Sequence, residues 1–127
     1  MSYIDGFVLA VPSENRERFR AMAARVADIF IEHGALRVIE NWGDDVPDGT
    51  QTDMRRAVQA KDGETVVFSW VEWASKEARD AGNEKIAADP RLVPDAADAD
   101  IMDPKRMIYG GFVPIVDQRA KTQGQSR

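Results

Sequence analysis

A short sequence motif that occurs near both ends of the 127-residue chain is the feature that most constrains its fold. The motif extends from Tyr3 to Val11 and again from Ile108 to Val116, and each copy contains Gly-Phe-Val within an apolar run. Aromatic and β-branched residues of this kind are typical of strands. Two matching strands at opposite ends of the chain predict one sheet in which the first and last strands are neighbours. Pro114 predicts an edge position for the last strand, because proline lacks the backbone donor that a central strand needs.

Two amphipathic segments between these end strands predict helices. Ser13 is placed to cap the first helix, and Gly34 is placed to end it. Ser75 is placed to cap a second helix over residues 76–88, which Asp89-Pro90 closes. The first helix has an apolar face with spacings of three and four, made of Phe19, Met22, Ala23, Val26, Ile29 and Phe30. The second has an inner face of Ala78, Ala81, Gly82 and Ile86.

Three further strands are predicted from residue patterns in the middle of the chain. Residues 35–42 alternate between two faces, and residues 65–73 form a strong apolar run. Residues 54–60 read as a modest strand that joins the run 65–73 through an Asp62-Gly63 hairpin turn. The turn-rich stretch 43–49 is predicted to be an exposed loop, and 95–104 an acidic connector.

The resulting element order, β-α-β-β-β-α-β, predicts an α+β fold. It is the order of a ferredoxin-like sandwich with one added hairpin strand, in which both helices cover one face of an antiparallel sheet. We expect a single domain over residues 1–116 and a disordered polar tail over residues 117–127.

The strand 65–73 is apolar on both of its sides, whereas two helices can cover only one face of a sheet. Exposure of the large side chains on the second face would forfeit about 2 kcal/mol each. We therefore predict a homodimer, a dimeric α+β barrel with the two sheets facing each other across a cavity. The two sides of the strand are Val66, Phe68 and Trp70 on one, and Val67, Val71 and Trp73 on the other.

Composition excludes several classes of function. The 17 Lys and Arg residues against 22 Asp and Glu residues give a net charge of −5, which disfavours nucleic acid and anionic membranes as partners. No apolar run reaches the roughly 18 residues of a membrane span, and no secretory leader is visible, so we expect a cytoplasmic protein. With no cysteine there is no disulfide and no thiol nucleophile. The acidic connector lacks the glycine and the bidentate Glu of a calcium loop, and no metal site is predicted among Asp95, Asp98, Asp100 and Asp103.

Several segments resemble a known family. The stretch 68–79 resembles the strand and helix cap of dimeric α+β barrel proteins, a superfamily that includes small monooxygenases, isomerases and heme-handling enzymes. Residues 3–8, 34–37, 45–49, 66–70, 89–91 and 105–112 are similar to the YbaA-like family of uncharacterised bacterial proteins. This resemblance covers residues 3 to about 115 and implies a dimeric barrel. It implies no particular activity, and we predict no cofactor.

Two glutamates are the strongest candidates for catalysis. Glu40 lies near Trp42 and Glu72 lies near Trp70, each toward the end of a strand. If both face one cavity, they form a carboxylate pair with raised pKa values that acts as acid and base. The alternative is that they pair with arginines at the rim of the sheet, namely Arg37, Arg55 or Arg106.

His33, the only histidine, is a third catalytic candidate. It follows the apolar face of the first helix, at the carboxyl end of that helix. Its simpler role is to interact with the helix dipole there, and a single His without further ligands makes a weak metal site.

The predicted ligand-binding residues are aromatic or basic. Trp42, Trp70 and Tyr109 could wall a pocket for a planar ligand, with Arg37 or Arg55 holding an anionic group. Gly6 and Gly111, which lack side chains, predict where a ligand could approach. Two functions stay open: binding or conversion of a small molecule in the cavity between subunits, and a structural or protein-interaction homodimer in which the same residues only pack.

Overall fold

The computed structural model describes residues 2–92, 98 and 100–121, and these residues form a four-stranded antiparallel sheet. The strands are β1 (Tyr3–Pro12), β2 (Arg37–Trp42), β3 (Glu64–Trp73) and β4 (Ile108–Phe112). Their order across the sheet is β2-β3-β1-β4. The first and last strands are therefore neighbours and β4 is at an edge, as the repeated motif predicts. However, β4 ends at Phe112, so Pro114 lies beyond the strand and does not account for its edge position.

The helices are α1 (Arg16–Glu32), α2 (Met54–Ala57) and α3 (Lys76–Ala87), with 3-10 turns at Ser13–Asn15, Pro90–Leu92 and Pro104–Arg106. Side chains alternate between the two faces along a strand. One face of the sheet packs against α1, where Leu9, Val11 and Val67 meet Phe19 and Ala23. The same face packs against α3 through Trp73 and Ile86. This arrangement confirms a ferredoxin-like sandwich with both long helices on one face. None of the helices in the described part of the chain is long and apolar enough to cross a membrane.

The added hairpin strand predicted over residues 54–60 is wrong. Asp53 accepts a hydrogen bond from the backbone N–H of Arg56 at 2.7 Å and so caps the one-turn helix α2. The predicted turn does form, with Gly63 at φ +81°, but it joins the segment after α2 to β3 instead of joining two strands. The helix cap formed by Asp53 therefore determines the conformation of this segment, and the weak strand pattern does not.

Three of the four predicted helix signals are confirmed, including the end of α3 just before Asp89-Pro90. Gly34 has φ +111° after α1, and Ser75 accepts a hydrogen bond from the N–H of Ala78 at 3.0 Å. Ser13 is not a cap: its hydroxyl lies 2.6 Å from the hydroxyl of Thr65. The inner face predicted for α3 is confirmed at Gly82 and Ile86, whereas Ala81 is exposed.

The second face of the sheet, which we call the open face, is only partly covered. Val58 from the segment after α2 covers Ala10 and Val66 at one end. Over the rest of the open face, large apolar side chains reach solvent, including Phe68 at 44% exposure and Phe112 at 59%. The sheet is thus apolar on both faces, as the sequence predicts, and the described chain covers only one of them fully.

Gly6 and Gly111, the glycines of the repeated motif, do not leave room for a ligand. Gly6 lies opposite Gly110 in the sheet, and the Phe112 ring lies over both on the open face. Gly111 packs on the helix side against the Tyr3 hydroxyl and the Arg79 guanidinium, so closely that a side chain would not fit. The prediction of a pocket at Gly6 and Gly111 is therefore wrong, because side chains of the same chain fill both places.

A buried polar cluster joins β1, β3 and α3. The Asp5 carboxylate accepts hydrogen bonds from the Trp73 indole N–H at 3.0 Å and from Arg79 at 3.1 Å. The Arg79 guanidinium also stacks over the Tyr3 ring at 4.8 Å. Trp73 is fully buried and Asp5 nearly so. This carboxylate therefore satisfies the buried Trp73 indole N–H, which would otherwise be removed from water without a partner, and it provides the buried counter-ion of Arg79.

The predicted boundary between domain and tail stays a prediction. Residues 117–121 are exposed and carry no helix or strand. Residues 122–127 lie outside the described residues, as do Asp95 and much of the predicted acidic connector.

Candidate functional site

A cavity of about 180 Å³ lies between α1 and the sheet. Its walls are almost entirely apolar, since α1 contributes Phe19 and Met22, and the strands contribute Leu9 and Val71. An apolar cavity of about 150 Å³ is enough to hold benzene. The cavity is therefore large enough for the ring or short chain of a small organic molecule.

Among the described residues that line this cavity, Glu40 is the only ionisable one, and Ser69 is the only other one with a polar side chain. The two residues lie opposite each other on β2 and β3, so their side chains share the face that α1 covers. Glu40 is exposed to water, and the other described residues in the cavity wall are apolar apart from Ser69. Burial raises its pKa above the ordinary value of 4.5, and a hydrogen bond with Ser69 opposes that rise in part.

The cavity opens into an outer groove of about 390 Å³ along the edge strand β2. At the far end of this groove, the Arg16 guanidinium stacks over the Trp42 ring at 5.6 Å. Arg20 also lines the groove and pairs with Glu17 at 3.0 Å. The cavity and the outer groove share Phe19, Ala23, Ala27, Val38 and Glu40 as common walls.

The predicted pair of Glu40 and Glu72 does not form, because the two glutamates lie on opposite faces of the sheet. Glu72 is on the open face, where it accepts a hydrogen bond from the Trp70 indole N–H at 3.0 Å and lies 3.9 Å from Arg37. The alternative of pairing at the rim of the sheet therefore describes Glu72. Glu40 has no arginine partner among the described residues, and that alternative is wrong for it.

The other predicted acid–base and anion-binding residues lie away from the cavity. His33 is at the carboxyl end of α1, where its Nε2 lies 2.9 Å from the Asp89 carboxylate. Arg91 pairs with the same carboxylate at 2.7 Å, and these two partners, Arg91 first, hold the pKa of Asp89 well below its usual range. Arg55 donates to two backbone carbonyls near the turn before β3, those of Lys61 and Glu64. His33 and Arg55 thus support local structure.

The three predicted aromatic residues do not form one pocket. Trp42 lines the outer groove and packs against Phe19. Tyr109, which is 75% exposed, stacks on Phe7 with ring centres 6.3 Å apart. Trp70 is on the open face against Phe68. Of the predicted site residues, only Glu40 and Trp42 therefore line the cavity and its groove.

Two residues of this site escaped the sequence prediction. Ser69 is a lone polar residue in an apolar strand, at a position that faces the helices, and that pattern could have revealed it. Arg16 looked like an ordinary charge in the first turn of a helix, and only its stacking on Trp42 distinguishes it. No group of His, Asp or Glu residues in the described part of the chain could hold a metal ion.

A raised pKa at Glu40 predicts a specific pH dependence of stability. A carboxyl group whose folded pKa exceeds its unfolded value destabilises the fold as pH rises from about 4.5 through the folded pKa. Glu40→Gln should therefore raise the free energy of unfolding by roughly 1 kcal/mol at pH 7.5, a modest gain because water reaches the group, and change it little at pH 4. Urea unfolding at both pH values measures this, with the exposed Glu84→Gln as control. An equal effect of Glu40→Gln at both pH values would show that the carboxyl group is not desolvated.

The strand order, the two helices on one face and the apolar cavity with one carboxyl group define a ferredoxin-like α+β protein. Within that class, the chain belongs to the family described as "Protein of unknown function (DUF1428)", whose model matches residues 2–104. The uncharacterised protein YbaA of Escherichia coli K12 is 52% identical over 118 residues, which span 93% of this chain and all of YbaA. YbaA of Shigella flexneri matches to the same extent. The resemblance to YbaA-like proteins is confirmed.

Solved structures share the fold at low sequence identity. A dimeric ferredoxin-like protein from an uncultured marine organism has a TM-score of 0.56 at 10% identity, with 94% of this chain and 98% of that chain covered. SnoaB of Streptomyces nogalater, a cofactor-independent oxygenase, has a TM-score of 0.50 at 18% identity, with 91% and 95% covered. These likenesses support the ferredoxin-like fold of this chain.

Proposed function

We propose that this protein binds a small, largely apolar organic molecule in the cavity under α1, and that Glu40 exchanges a proton with it. The observation that carries the proposal is that, among the described residues of a nearly apolar cavity, one carboxyl group lies beside one hydroxyl group and burial raises the pKa of that carboxyl group. A protein gains no stability from such a group, because desolvation of a carboxylate is unfavourable. Its position is accounted for by chemistry on a bound molecule.

The surroundings of Glu40 suit a general base. A raised pKa brings the carboxyl group closer to neutral pH, where a base is most effective. The apolar walls exclude bulk water from a bound molecule and strengthen the interaction between the carboxylate and an acidic O–H or C–H group. Ser69 is placed beside Glu40 to donate or accept a second hydrogen bond.

The proposed reaction needs no metal or cofactor. One carboxyl and one hydroxyl group, the polar side chains of the cavity, are too few ligands for the common protein-bound metals. SnoaB, which shares the fold, is a cofactor-independent oxygenase. That neighbour supports the idea that a protein of this fold can act on an organic molecule with its own side chains.

We further propose that two copies of the chain associate through their open faces. Phe68 and Phe112 are exposed there, and the partly exposed Trp70 packs against Phe68. A neighbour with this fold is a dimeric ferredoxin-like protein, which supports the same assembly here. The proposed binding site lies on the opposite side of the sheet, so each protomer would carry its own site instead of sharing one between the subunits.

The open face also favours a second candidate function. An exposed apolar sheet face on a small protein marks an interaction surface. A homodimer that serves only as a structural or protein-interaction module would need this face and would not need Glu40. The two functions therefore differ in whether the cavity binds a ligand.

A ligand screen with a blocked cavity tests the proposed function. Ala27 lines both the cavity and the outer groove, so Ala27→Leu should fill their junction and weaken binding of a neutral probe, 4-phenylbutyramide, at least tenfold. Ala21→Leu makes the same change at an exposed position of α1 outside the cavity walls and should leave binding unchanged. Isothermal titration calorimetry measures both. Equal binding by the two variants, or no binding by the native protein, would contradict the proposal.

A further inference from the structure

We infer that the natural ligand is an amphipathic organic carboxylate whose apolar body lies in the Glu40 cavity and whose carboxylate binds Arg16 in the outer groove. This inference rests on the proposed function and specifies the class of its ligand. It places the anion-binding arginine on α1, in contrast to the sequence-based candidates Arg37 and Arg55.

The outer groove presents a cation, Arg16, that pairs with no carboxylate among the described residues. Arg16 stacks over Trp42, and within the described part of the chain no Asp or Glu lies within ion-pair distance of it. Arg20, one turn further along α1 in the same groove, pairs with Glu17. Stacking on an aromatic ring holds a guanidinium in place and leaves its edge free to bind a carboxylate through two parallel hydrogen bonds.

The spacing of the two ends of the site sets the shape of the ligand. Glu40 and Trp42 lie on the same face of β2, two residues and about 7 Å apart. A carboxylate at Arg16 would therefore be separated from the group that meets Glu40 by a spacer of several bonds. That distance also keeps the charge of the ligand away from the Glu40 carboxylate. Arylalkanoates and medium-chain fatty acids have this outline and serve as probes, whereas a ligand that exchanges a proton with Glu40 also carries an acidic O–H or C–H group at its far end.

The apolar walls of the cavity disfavour a ligand that is polar along its whole length. Phe19 and Val38 line both the cavity and the groove, so a ligand that reaches from Arg16 into the cavity contacts apolar side chains on its way. A molecule with polar groups along its whole length would lose its hydration there without replacement hydrogen bonds. Short dicarboxylates and sugar acids are therefore excluded by the same surface that favours an arylalkanoate.

Matched acid and amide probes test the role of Arg16. The native protein should bind 4-phenylbutyrate at least tenfold more tightly than 4-phenylbutyramide at pH 7.5, and octanoate more tightly than octanamide. Arg16→Gln should reduce the preference for each acid to within twofold and leave affinity for the amides unchanged. Arg25→Gln removes the same charge from α1 at a position outside the cavity and groove, where Arg25 pairs with Asp98, and should keep the preference.

The outcomes separate this inference from the proposed function. If the native protein binds acids and amides equally, or if Arg16→Gln keeps the preference, the inference is wrong, while cavity binding of the amides would still support the proposed function. If Arg25→Gln lowers the preference as much as Arg16→Gln, the effect comes from net charge and the Arg16 site is refuted. If none of the four probes binds, both the inference and the proposed function fail.

Discussion

Asp5→Ala is expected to lower the free energy of unfolding by about 3–5 kcal/mol, the range for removal of one partner from a buried charged pair. The Asp5 carboxylate is the acceptor for the Trp73 indole N–H and for the Arg79 guanidinium. Its removal leaves a fully buried indole donor without a partner, and it leaves the largely buried Arg79 guanidinium with only the half-exposed Asp80 as a counter-ion. Urea unfolding followed by tryptophan fluorescence measures the loss.

A second carboxylate on the same arginine provides the control for Asp5. Asp80 pairs with Arg79 at 2.8 Å, but its side chain is 50% exposed. Asp80→Ala should therefore cost much less than Asp5→Ala, as is usual for exposed ion pairs. If Asp5→Ala and Asp80→Ala had equal effects, the stabilising role of burial at Asp5 would be refuted.

Phe68→Lys is expected to weaken self-association by at least about 1,000-fold, which corresponds to roughly 4 kcal/mol. Phe68 is 44% exposed on the open face and packs against the Trp70 ring. In the proposed dimer this position is buried, and a lysine there would place an unpaired charge in an apolar interface. Sedimentation velocity over a concentration series measures the dissociation constant.

The matched control for the dimer is Ile31→Lys. Ile31 is 46% exposed, nearly the same as Phe68, but it lies near the end of α1 on the other side of the molecule. This variant should keep the native mass in solution. A native protein that sediments as a monomer at 100 μM would overturn the proposed assembly, and so would a Phe68→Lys variant that dimerises like the native chain.

The parts of the fold that could be predicted from sequence depend on local signals or on long apolar runs. The end strands, both long helices, the Gly34 stop and the Ser75 cap are of this kind, and all are confirmed. The uncovered apolar face of β3 could also be predicted, because large apolar side chains occur at both the odd-numbered and the even-numbered positions of that strand.

The site could be predicted only in part, because the face on which a side chain lies depends on register between distant strands. Glu40 and Glu72 look equivalent in sequence, each beside a tryptophan at the end of a strand. In the sheet Glu40 pairs with Ser69, three residues before Glu72, so the two carboxylates lie on opposite faces. A one-residue difference in register decides this, and no local pattern specifies it.

Competition between local patterns explains the error at residues 54–60. The segment reads as a weak strand, but Asp53 also has a side chain suited to cap a helix, and it bonds to the N–H groups of both Gly49 and Arg56. The same two bonds, that of Arg56 first, lower the pKa of Asp53. A short cap can therefore override a weak strand propensity where the segment lies over the end of a sheet and is not paired within it.

The most direct test of the proposed cavity uses methionine methyl groups as reporters. Met22, Met102 and Met107 line the cavity, whereas Met54 is on α2 and lies outside it. Nuclear Overhauser effects should be recorded between ¹³C-methyl-methionine protein and saturating 4-phenylbutyramide. We predict contacts from the ligand to Met22, Met102 and Met107 and none to Met54. A ligand that contacts Met54 alone, or none of these methyl groups, would contradict the account.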